Sequence, residues 1–148
     1  GMASGLPCGA FVASYELMHL LADNPKMSHI TTFGGNPVVA AASLATLNEL
    51  LTTSLMQETL EKEQLFRKLL KHPKIKLVNG KGLMLAAIME SEQLANHIIL
   101  YAHQRGYIFF WLLFELRAVR ISPPLTISKE EIEKACAIIL EAIDHYKE

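Results

Sequence analysis

Residues 31–37 (TTFGGNP) place two hydroxyl groups directly before a pair of glycines and the start of a helix. Asn36 is a residue type whose side-chain oxygen accepts hydrogen bonds from the first free amides of a helix, and Pro37 is favoured at the first helical position. The glycines allow a close backbone approach, and a helix N-terminus attracts an anion. The hydroxyls of Thr31 and Thr32 are therefore candidates for a phosphate-binding site. A capped turn whose threonines lie on the surface explains the same residues.

A second candidate is Arg120, which lies in the predicted strand 117–121 and is followed by Ser122 and the proline pair 123–124. A guanidinium group at a strand end beside two rigid prolines is suited to hold a carboxylate through two hydrogen bonds. A structural ion pair at the edge of the sheet would use an arginine in the same way. The residues themselves leave both interpretations open.

The histidines and cysteines show no metal-binding or nucleophilic pattern. The six histidines lack zinc-ligand spacing, and His97 and His103 are six residues apart, so they would not share a helical face. We predict a surface role for them and no metal site. Neither Cys8 nor Cys136 has a nearby base, and no serine lies in a G-x-S-x-G turn, so nucleophilic catalysis has no support. Two distant cysteines without a signal peptide indicate reduced thiols and a cytoplasmic location.

The first half of the chain is expected to position the threonines. Residues 9–12 read as a short strand, residues 15–22 as one or two helical turns, and residues 23–25 as a break. From Pro37 to about residue 70 no glycine or proline interrupts the sequence, which predicts a single helix about 50 Å long. A helix of this length is longer than one small hydrophobic core can cover. It is typical of a helix that links two domains.

The second half is expected to position Arg120 in a small sheet. The predicted elements are a hairpin, two further strands and two helices, in residues 75–78, 83–89, 91–105, 107–110, 117–121 and from 128 onward. Ser91 is the predicted cap of the first helix, and Ser128 with Glu131 forms a capping-box pattern for the second. These elements predict a self-sufficient two-layer α+β unit with three or four strands.

Composition limits the class of partner. The chain has 148 residues and a formal net charge of −1, so overall charge favours neither a nucleic acid nor an acidic membrane. Hydrophobic residues make up 51% of the chain, yet no run reaches the ~18 apolar residues that span a bilayer. Residues 107–114 (YIFFWLLF) fit a buried strand or an edge that faces a partner. Residues 2–14 and the Ala-rich half of the long helix would expose more apolar area than a monomer usually tolerates, so we expect a homo-oligomer, most simply a dimer.

Four segments in this order resemble one family. They are GLPCGAF at 5–11, TTFGGNP at 31–37, GKGLMLA at 80–86 and VRISPPLTI at 119–127. Together they resemble the C-terminal part of class III aminotransferases, the pyridoxal 5'-phosphate (PLP) enzymes of the acetylornithine and ornithine aminotransferase type. The resemblance covers essentially the whole chain, and TTFGGNP is its most specific element.

The resemblance implies a fold and roles for three residues. The fold would be the C-terminal part of the α/β fold-type I PLP transferases. Residues 1–36 would be a remnant of the large domain, 37–72 the interdomain helix and 73–148 the small domain. Thr32, with Thr31 beside it, would bind the cofactor phosphate of the neighbouring subunit, and Arg120 would contact a carboxylate of the substrate or of an active-site glutamate.

The chain also departs from the family. Aligned on GLPCGAF, the lysine that forms the Schiff base with PLP would fall immediately before Gly1, and none of the ten lysines present matches it. No catalytic residue is therefore assigned. We expect a truncated product or one half of a split enzyme, which binds no PLP and does not transaminate alone. A separate N-terminal aminotransferase chain would then be a partner. The alternative is a non-catalytic oligomeric remnant or binding module.

Overall fold

The computed structural model describes residues 1–22 and 30–147 and divides the chain into two compact units, residues 1–53 and residues 54–148. The predicted break at 23–25 lies outside the described residues. Each unit has its own secondary structure, and the two are described separately.

The first unit is built from two helices and an N-terminal loop. Its helices are α1 (Tyr15–His19) and α2 (Pro37–Thr52), and a single β-bridge joins Ala3 to Leu6. The short strand predicted for residues 9–12 is wrong, because no neighbouring strand in the described part of this unit offers it a partner. Ala3 is the one buried residue among those described here. This unit therefore has almost no core of its own.

The long helix predicted from Pro37 is two helices, since α2 ends at Thr52 and α3 spans Leu55–Leu69. At the break, Thr53 adopts an extended conformation with φ −117° and ψ 169°. The hydroxyls of Thr52 and Thr53 donate to the carbonyls of Asn48 and Glu49, at 2.7 and 2.6 Å. Side chains that bond to nearby backbone in this way compete with helix continuation, so a polar Thr-Thr-Ser run ends a helix that contains no glycine or proline after Pro37.

The second unit has two layers, which confirms the predicted fold class. Its strands are β1 (Ile75–Lys81), β2 (Met84–Met89), β3 (Phe110–Trp111) and β4 (Ala118–Ile121), paired antiparallel in the order β1-β2-β4-β3. Helices α3 and α4 (Glu92–His103) contact the sheet, and α5 (Lys129–His145) packs against both helices. The strand expected at 107–110 forms only at its end, as β3.

One hydrophobic core joins the helices to one face of this sheet. It includes Leu85 and Met89 of β2, Ile98 of α4 and Ile139 of α5. Phe66 of α3 is also buried in it, so α3 belongs to the second unit. The division into large-domain remnant, interdomain helix and small domain remains a prediction.

The predicted helix caps are confirmed. Ser91 accepts a hydrogen bond from the Leu94 amide at 3.2 Å. Ser128 and Glu131 form the reciprocal capping box at the start of α5, with distances of 3.1 and 2.7 Å. These caps fix where α4 and α5 begin, and with them the helical layer that supports the sheet.

No single helix in residues 1–22 and 30–147 is both long and apolar enough to cross a membrane, and α2 and α3 pass that test only when counted together across their break.

Candidate functional site

The TTFGGNP segment forms a tight turn followed by a capped helix. The Gly34 amide donates to the Thr31 carbonyl at 3.1 Å, and Gly35 has a positive φ of 71°. A Cβ atom at Gly34 would lie 2.7 Å from the Thr31 hydroxyl oxygen, so a larger residue would displace that hydroxyl. The two glycines are thus needed for the shape of the turn.

The first turn of α2 has no amide left for an anion. Asn36 Oδ1 accepts from the amides of Val38 and Val39, at 3.0 and 3.3 Å, and the Asn36 carbonyl accepts from Ala40 at 2.9 Å. Pro37 has no N–H group. The first amides of α2 are therefore all hydrogen-bonded within the chain. A phosphate bound here would depend on the hydroxyls of Thr31 and Thr32 and on the turn that holds them.

Both predicted hydroxyls are available for such a contact. Within the described residues, neither Thr31 nor Thr32 donates a hydrogen bond, and both are exposed. Thr46 and Thr52, in contrast, each donate to a carbonyl of α2. Thr31 lines a depression of about 330 Å³ together with residues 33–36 and 7–9, whereas Thr32 lies outside that lining.

The depression brings together two segments that are distant in sequence. Ser43 of α2 donates to the Cys8 sulfur at 3.4 Å, and the hydroxyls of Ser4 and Thr46 are 2.9 Å apart. These contacts lay the N-terminal loop along α2, beside the turn. Sequence reasoning gave residues 7–9 no role at this turn, because local patterns carry no information on that packing.

Arg120 lies in the middle of the second unit's sheet. It pairs across the ladders with Ala86 of β2 and Phe110 of β3. Because side chains alternate along a strand, it points to the face opposite the buried Val119 and Ile121. Arg120 lies one residue from the end of β4, as expected, but β4 is an inner strand, so the alternative of an ion pair at the edge of the sheet does not fit it.

The guanidinium group of Arg120 has no carboxylate partner among residues 1–22 and 30–147. The other three arginines each have one: Arg67 pairs with Glu63, Arg105 with Glu141 and Arg117 with Glu115. The Arg120 Nε atom donates to Ser122 Oγ at 3.1 Å. A structural ion pair therefore does not explain this residue within the described chain.

Two depressions flank Arg120, and both are mainly apolar. One, of about 440 Å³, is lined by Met84, Ala86, Leu112 and the polar side chains of Asn79 and Ser122. The other, of about 270 Å³, is lined by residues 108–110, 121–123 and Ile127. A lone cation between apolar walls suits a ligand with one carboxylate.

One histidine differs from its predicted surface role. His97 Nε2 is buried without a hydrogen-bond partner in the described part of the chain, and its ring lies 5.7 and 5.3 Å from those of Tyr101 and Tyr146. No group of three or more His, Cys, Asp or Glu side chains among the described residues is arranged to hold a metal ion.

Comparison with known families decides the class of this protein. The family described as Aminotransferase class-III matches residues 1–143. The chain belongs to this family. Curated relatives include the putrescine aminotransferase of Pectobacterium atrosepticum, 36% identical over 142 residues, and the acetylornithine aminotransferase of Caldanaerobacter subterraneus, 32% identical over 152 residues. These matches include 92% and 99% of this chain but only 29% and 37% of the relatives, so the chain spans about a third of their length.

Solved structures agree with the fold. The class III chain resembles the ornithine aminotransferase of Toxoplasma gondii, with a TM-score of 0.74 and 27% identity over 86% of this chain and 30% of that one. That structure is described as having partial occupancy of PLP at its active site. A phospholyase from Arthrobacter, in complex with phosphoethanolamine, has a TM-score of 0.89 at 23% identity, covering 99% of this chain and 37% of that one. The second likeness shows the fold alone.

Proposed function

We propose that this chain acts as the C-terminal part of a PLP-dependent class III aminotransferase, which transfers an amino group between an amino acid and a 2-oxo acid. The observation that carries the proposal is the family match over residues 1–143. It is joined to two threonine hydroxyls that donate to no described group and to an arginine without a carboxylate partner in the described chain.

The turn supports a role in holding the cofactor phosphate. Thr32 and Thr31 have hydroxyls that donate to no protein group among the described residues. Hydroxyl donors to a phosphate are charge-assisted and stronger than neutral hydrogen bonds. Because Asn36 already satisfies the first amides of α2, we assign the phosphate contact to the hydroxyls of these threonines, in agreement with the family's use of the threonine before the aromatic residue.

Arg120 supports a role in carboxylate binding. It is the one arginine of the chain without a glutamate or aspartate partner in the described residues, and it lies between two apolar depressions. The carboxylate would belong to the substrate or to a glutamate of the active site. The threonines of the turn and Arg120 do not determine which amino donor the enzyme uses.

These 148 residues are proposed to be inactive alone. PLP, when bound, supplies the conjugated ring that takes up electrons as the substrate loses its α-proton. A family enzyme needs a lysine to anchor that ring and to move the proton. The described part of the first unit contains no lysine, and Lys26, the nearest to the turn in sequence, matches no functional position. The lysine would come from a large-domain segment.

An alternative is a non-catalytic module that persists as an oligomer. Such a module would use the exposed apolar side chains of the first unit as its contact surface, among them Phe11, Val12, Leu20 and Phe33. Exposed surface of this kind marks a face that a partner covers. A large domain or a second subunit would cover it in the first proposal, so the exposure alone does not separate the two.

Complementation separates the two functions. The chain is purified alone and after co-expression with the lysine-bearing large-domain portion of a class III relative such as acetylornithine aminotransferase. We expect no transamination and no cofactor absorbance from the chain alone, and both from the co-expressed pair. A pair that never associates or gains absorbance would favour the non-catalytic module. Turnover by the chain alone, or PLP attached to one of its own lysines, would contradict the proposed inactivity.

A substitution tests the role of Arg120 in the active pair. Arg120→Gln should keep the cofactor absorbance and lower kcat/KM by about 100-fold, since a lost charge-assisted contact costs about 2–5 kcal/mol. Arg117→Gln is the matched control, because Arg117 is already paired with Glu115 and should leave turnover near the wild-type value. Equal losses in the two variants would show that Arg120 is not specific to the substrate.

A further inference from the structure

Arg120 and Ser122 lie on the same face of the second unit's sheet. Side chains two residues apart along a strand point to one face, and Ser122 directly follows the last residue of β4. Val119 and Ile121, which alternate with them, are buried, whereas Arg120 and Ser122 are both exposed. Both also line each of the two depressions that flank the arginine. The serine hydroxyl is therefore a neighbour of the guanidinium group on the open side of the sheet.

The hydrogen bond between them uses one nitrogen atom of Arg120. Its Nε atom donates to Ser122 Oγ at 3.1 Å. In Arg67 and Arg117 the Nε atom instead donates to a glutamate carboxylate, at 2.8 and 2.9 Å. A guanidinium group has five N–H donors, one on Nε and four on the two Nη atoms. In the part of the chain that the structure describes, neither Nη atom of Arg120 donates a hydrogen bond, so this end of the group is available to a ligand.

The backbone on both sides holds Ser122 in place. Before it, β4 is paired with β2 and β3, and after it come Pro123 and Pro124. A residue that precedes a proline is restricted to extended conformations, because its helical conformation would clash with the proline ring. The Ile127 amide donates to the Pro124 carbonyl at 3.1 Å, which closes a turn beyond the prolines. The Ser122 hydroxyl therefore reaches Arg120 from a backbone that has little freedom.

No cross-strand neighbour of Arg120 can replace the serine hydroxyl. Its partners across the two ladders are Ala86 of β2 and Phe110 of β3, and directly opposed residues lie on the same face. Neither partner has a polar side-chain atom. Without the hydroxyl, the Nε–H group would lose its acceptor and the guanidinium group would rotate more freely. Because an arginine side chain has large rotamer entropy, fixing it beforehand lowers the entropy cost of binding a ligand.

We propose that Ser122 is a positioning residue for Arg120. By accepting from Nε, it directs the two Nη atoms toward a carboxylate, which then binds the end of the guanidinium group through two parallel hydrogen bonds. The side-on arrangement, which uses Nε and one Nη atom, is blocked because Ser122 occupies Nε. The inference rests on the proposed role of Arg120 in carboxylate binding and adds the residue that sets the orientation of its guanidinium group.

NMR spectroscopy of the free 148-residue chain tests the positioning without any activity. The chain has four arginines, so the Nε–H signal that disappears in Arg120→Lys belongs to Arg120. Ser122→Ala should speed the exchange of this proton with water by about fivefold or more, because the hydrogen bond that protects it is lost. It should also lower the heteronuclear NOE of the Nε–H group. Ser122→Thr keeps a hydroxyl and should restore both values.

Thr126→Ala is the matched control for this measurement. Thr126 is an exposed residue beyond the prolines, and its hydroxyl has no hydrogen bond in the described residues, so its loss should leave the Arg120 signal unchanged. If Ser122→Ala changes neither the exchange nor the NOE, Ser122 does not hold Nε and the proposal is overturned. The same follows if Thr126→Ala changes both values as much as Ser122→Ala does.

Kinetics of the co-expressed pair test the consequence for binding. Ser122→Ala should raise KM for the amino acid that the pair turns over by about fivefold, as expected for one lost hydrogen bond, and leave kcat near the wild-type value. The carboxylate contact is made in the ground state and in the transition state alike, so its weakening appears in KM. Ser122→Thr should restore KM, and Thr126→Ala should not change it. A loss of kcat and of stability without a rise in KM would show that Ser122 is only structural.

The outcomes separate this proposal from the proposed function. If Arg120→Gln lowers turnover as expected while Ser122→Ala keeps the wild-type KM, the positioning role fails and the carboxylate role stands. If Arg120→Gln turns over as the wild type does, the carboxylate role fails and the positioning role with it. If the pair is inactive, the proposed function fails, and the NMR measurement on the free chain decides whether Ser122 orients Arg120.

Discussion

The Glu63 carboxylate of α3 accepts a hydrogen bond from the Gly82 amide in the β1–β2 hairpin, at 2.6 Å. Its other oxygen accepts from Arg67 Nε at 2.8 Å, and Arg67 in turn donates to the carbonyls of Val78 and Gly80. One ion pair on a helix therefore fixes the turn of the hairpin. That hairpin carries Ala86, which pairs with Arg120, so the clamp indirectly supports one wall beside the arginine.

This clamp should make stability depend on pH. The Arg67 guanidinium, followed by the Gly82 amide, lowers the pKa of Glu63 below its ordinary value of 4.5. The unfolded chain thus binds this proton more readily than the folded chain does, so the stabilisation is present above pH 4.5 and is lost as the pH falls through the folded pKa. Glu63→Gln should be less stable than the wild type at pH 7 and closer to it at pH 3.

Denaturant unfolding at the two pH values measures this difference. Glu61→Gln is the matched control, because Glu61 is exposed on the same helix and forms no ion pair in the described residues. The free energy of unfolding of Glu61→Gln should be close to that of the wild type at both pH values. A Glu63→Gln variant as stable as the wild type at pH 7 would mean that the clamp contributes nothing.

Gly80 is required by close contact as well as by backbone conformation. Its φ is +107°, and an added Cβ would lie 2.0 Å from the Met84 carbonyl oxygen across the hairpin. Gly106 has a positive φ of +82° but open space around its Cβ position. We expect Gly106→Ala to lower the free energy of unfolding by about 1 kcal/mol and Gly80→Ala by about 3 kcal/mol or more. Equal losses would show that the backbone relaxes around the Gly80 contact.

The two cysteines should differ sharply in reactivity. Cys136 is buried in the core, and burial raises the pKa of its thiol to about 12, whereas Cys8 is exposed. The thiolate is the reactive form, so a thiol reagent at pH 8 should modify one cysteine in the native chain and two after denaturation. Cys8→Ser should leave no fast-reacting thiol. Rapid modification of Cys136 in that variant would show that the core of the second unit opens readily.

Sequence patterns predicted the second unit well because its signals are local. Ser128 and Glu131 are three residues apart, so the capping box is visible in the sequence and forms as expected. The hairpin followed from the glycines of the GKG motif, whose positive φ values glycine adopts more readily than other residues. The family followed from motif order, and the match over residues 1–143 confirmed it.

Sequence patterns failed where a distant neighbour decides the outcome. Residues 9–12 have strand composition but no strand to pair with in the described part of their unit. The break at Thr53 depends on side-chain bonds that compete with the helix, and helical periodicity does not register them. The sequence left open an ion pair of Arg120 at the edge of the sheet, yet β3 pairs on the outer side of β4, and this could not be predicted because strand order is a tertiary property.

Thr32 and Thr31 offer the last prediction, which separates a ligand contact from a structural one. In a complemented enzyme, Thr32→Val should weaken PLP retention by about tenfold or more, since a hydrogen bond to a charged group contributes about 1.5–3 kcal/mol. Thr31→Val should weaken it as well, and also disturb the turn, because the Thr31 hydroxyl lies against Gly34. Equilibrium dialysis against PLP measures the loss, and unfolding of the free chain measures any change in the turn.

Thr52→Val is the matched control for both substitutions. Thr52 is an exposed threonine whose hydroxyl is used within α2, so its loss should leave PLP retention unchanged. If Thr32→Val retains PLP as firmly as Thr52→Val does, the threonine is only a neighbour of the Asn36 cap and the phosphate contact must lie elsewhere. If Thr32→Val loses PLP while the free chain keeps its stability, the hydroxyl contacts the cofactor, because a purely structural role would lower both together.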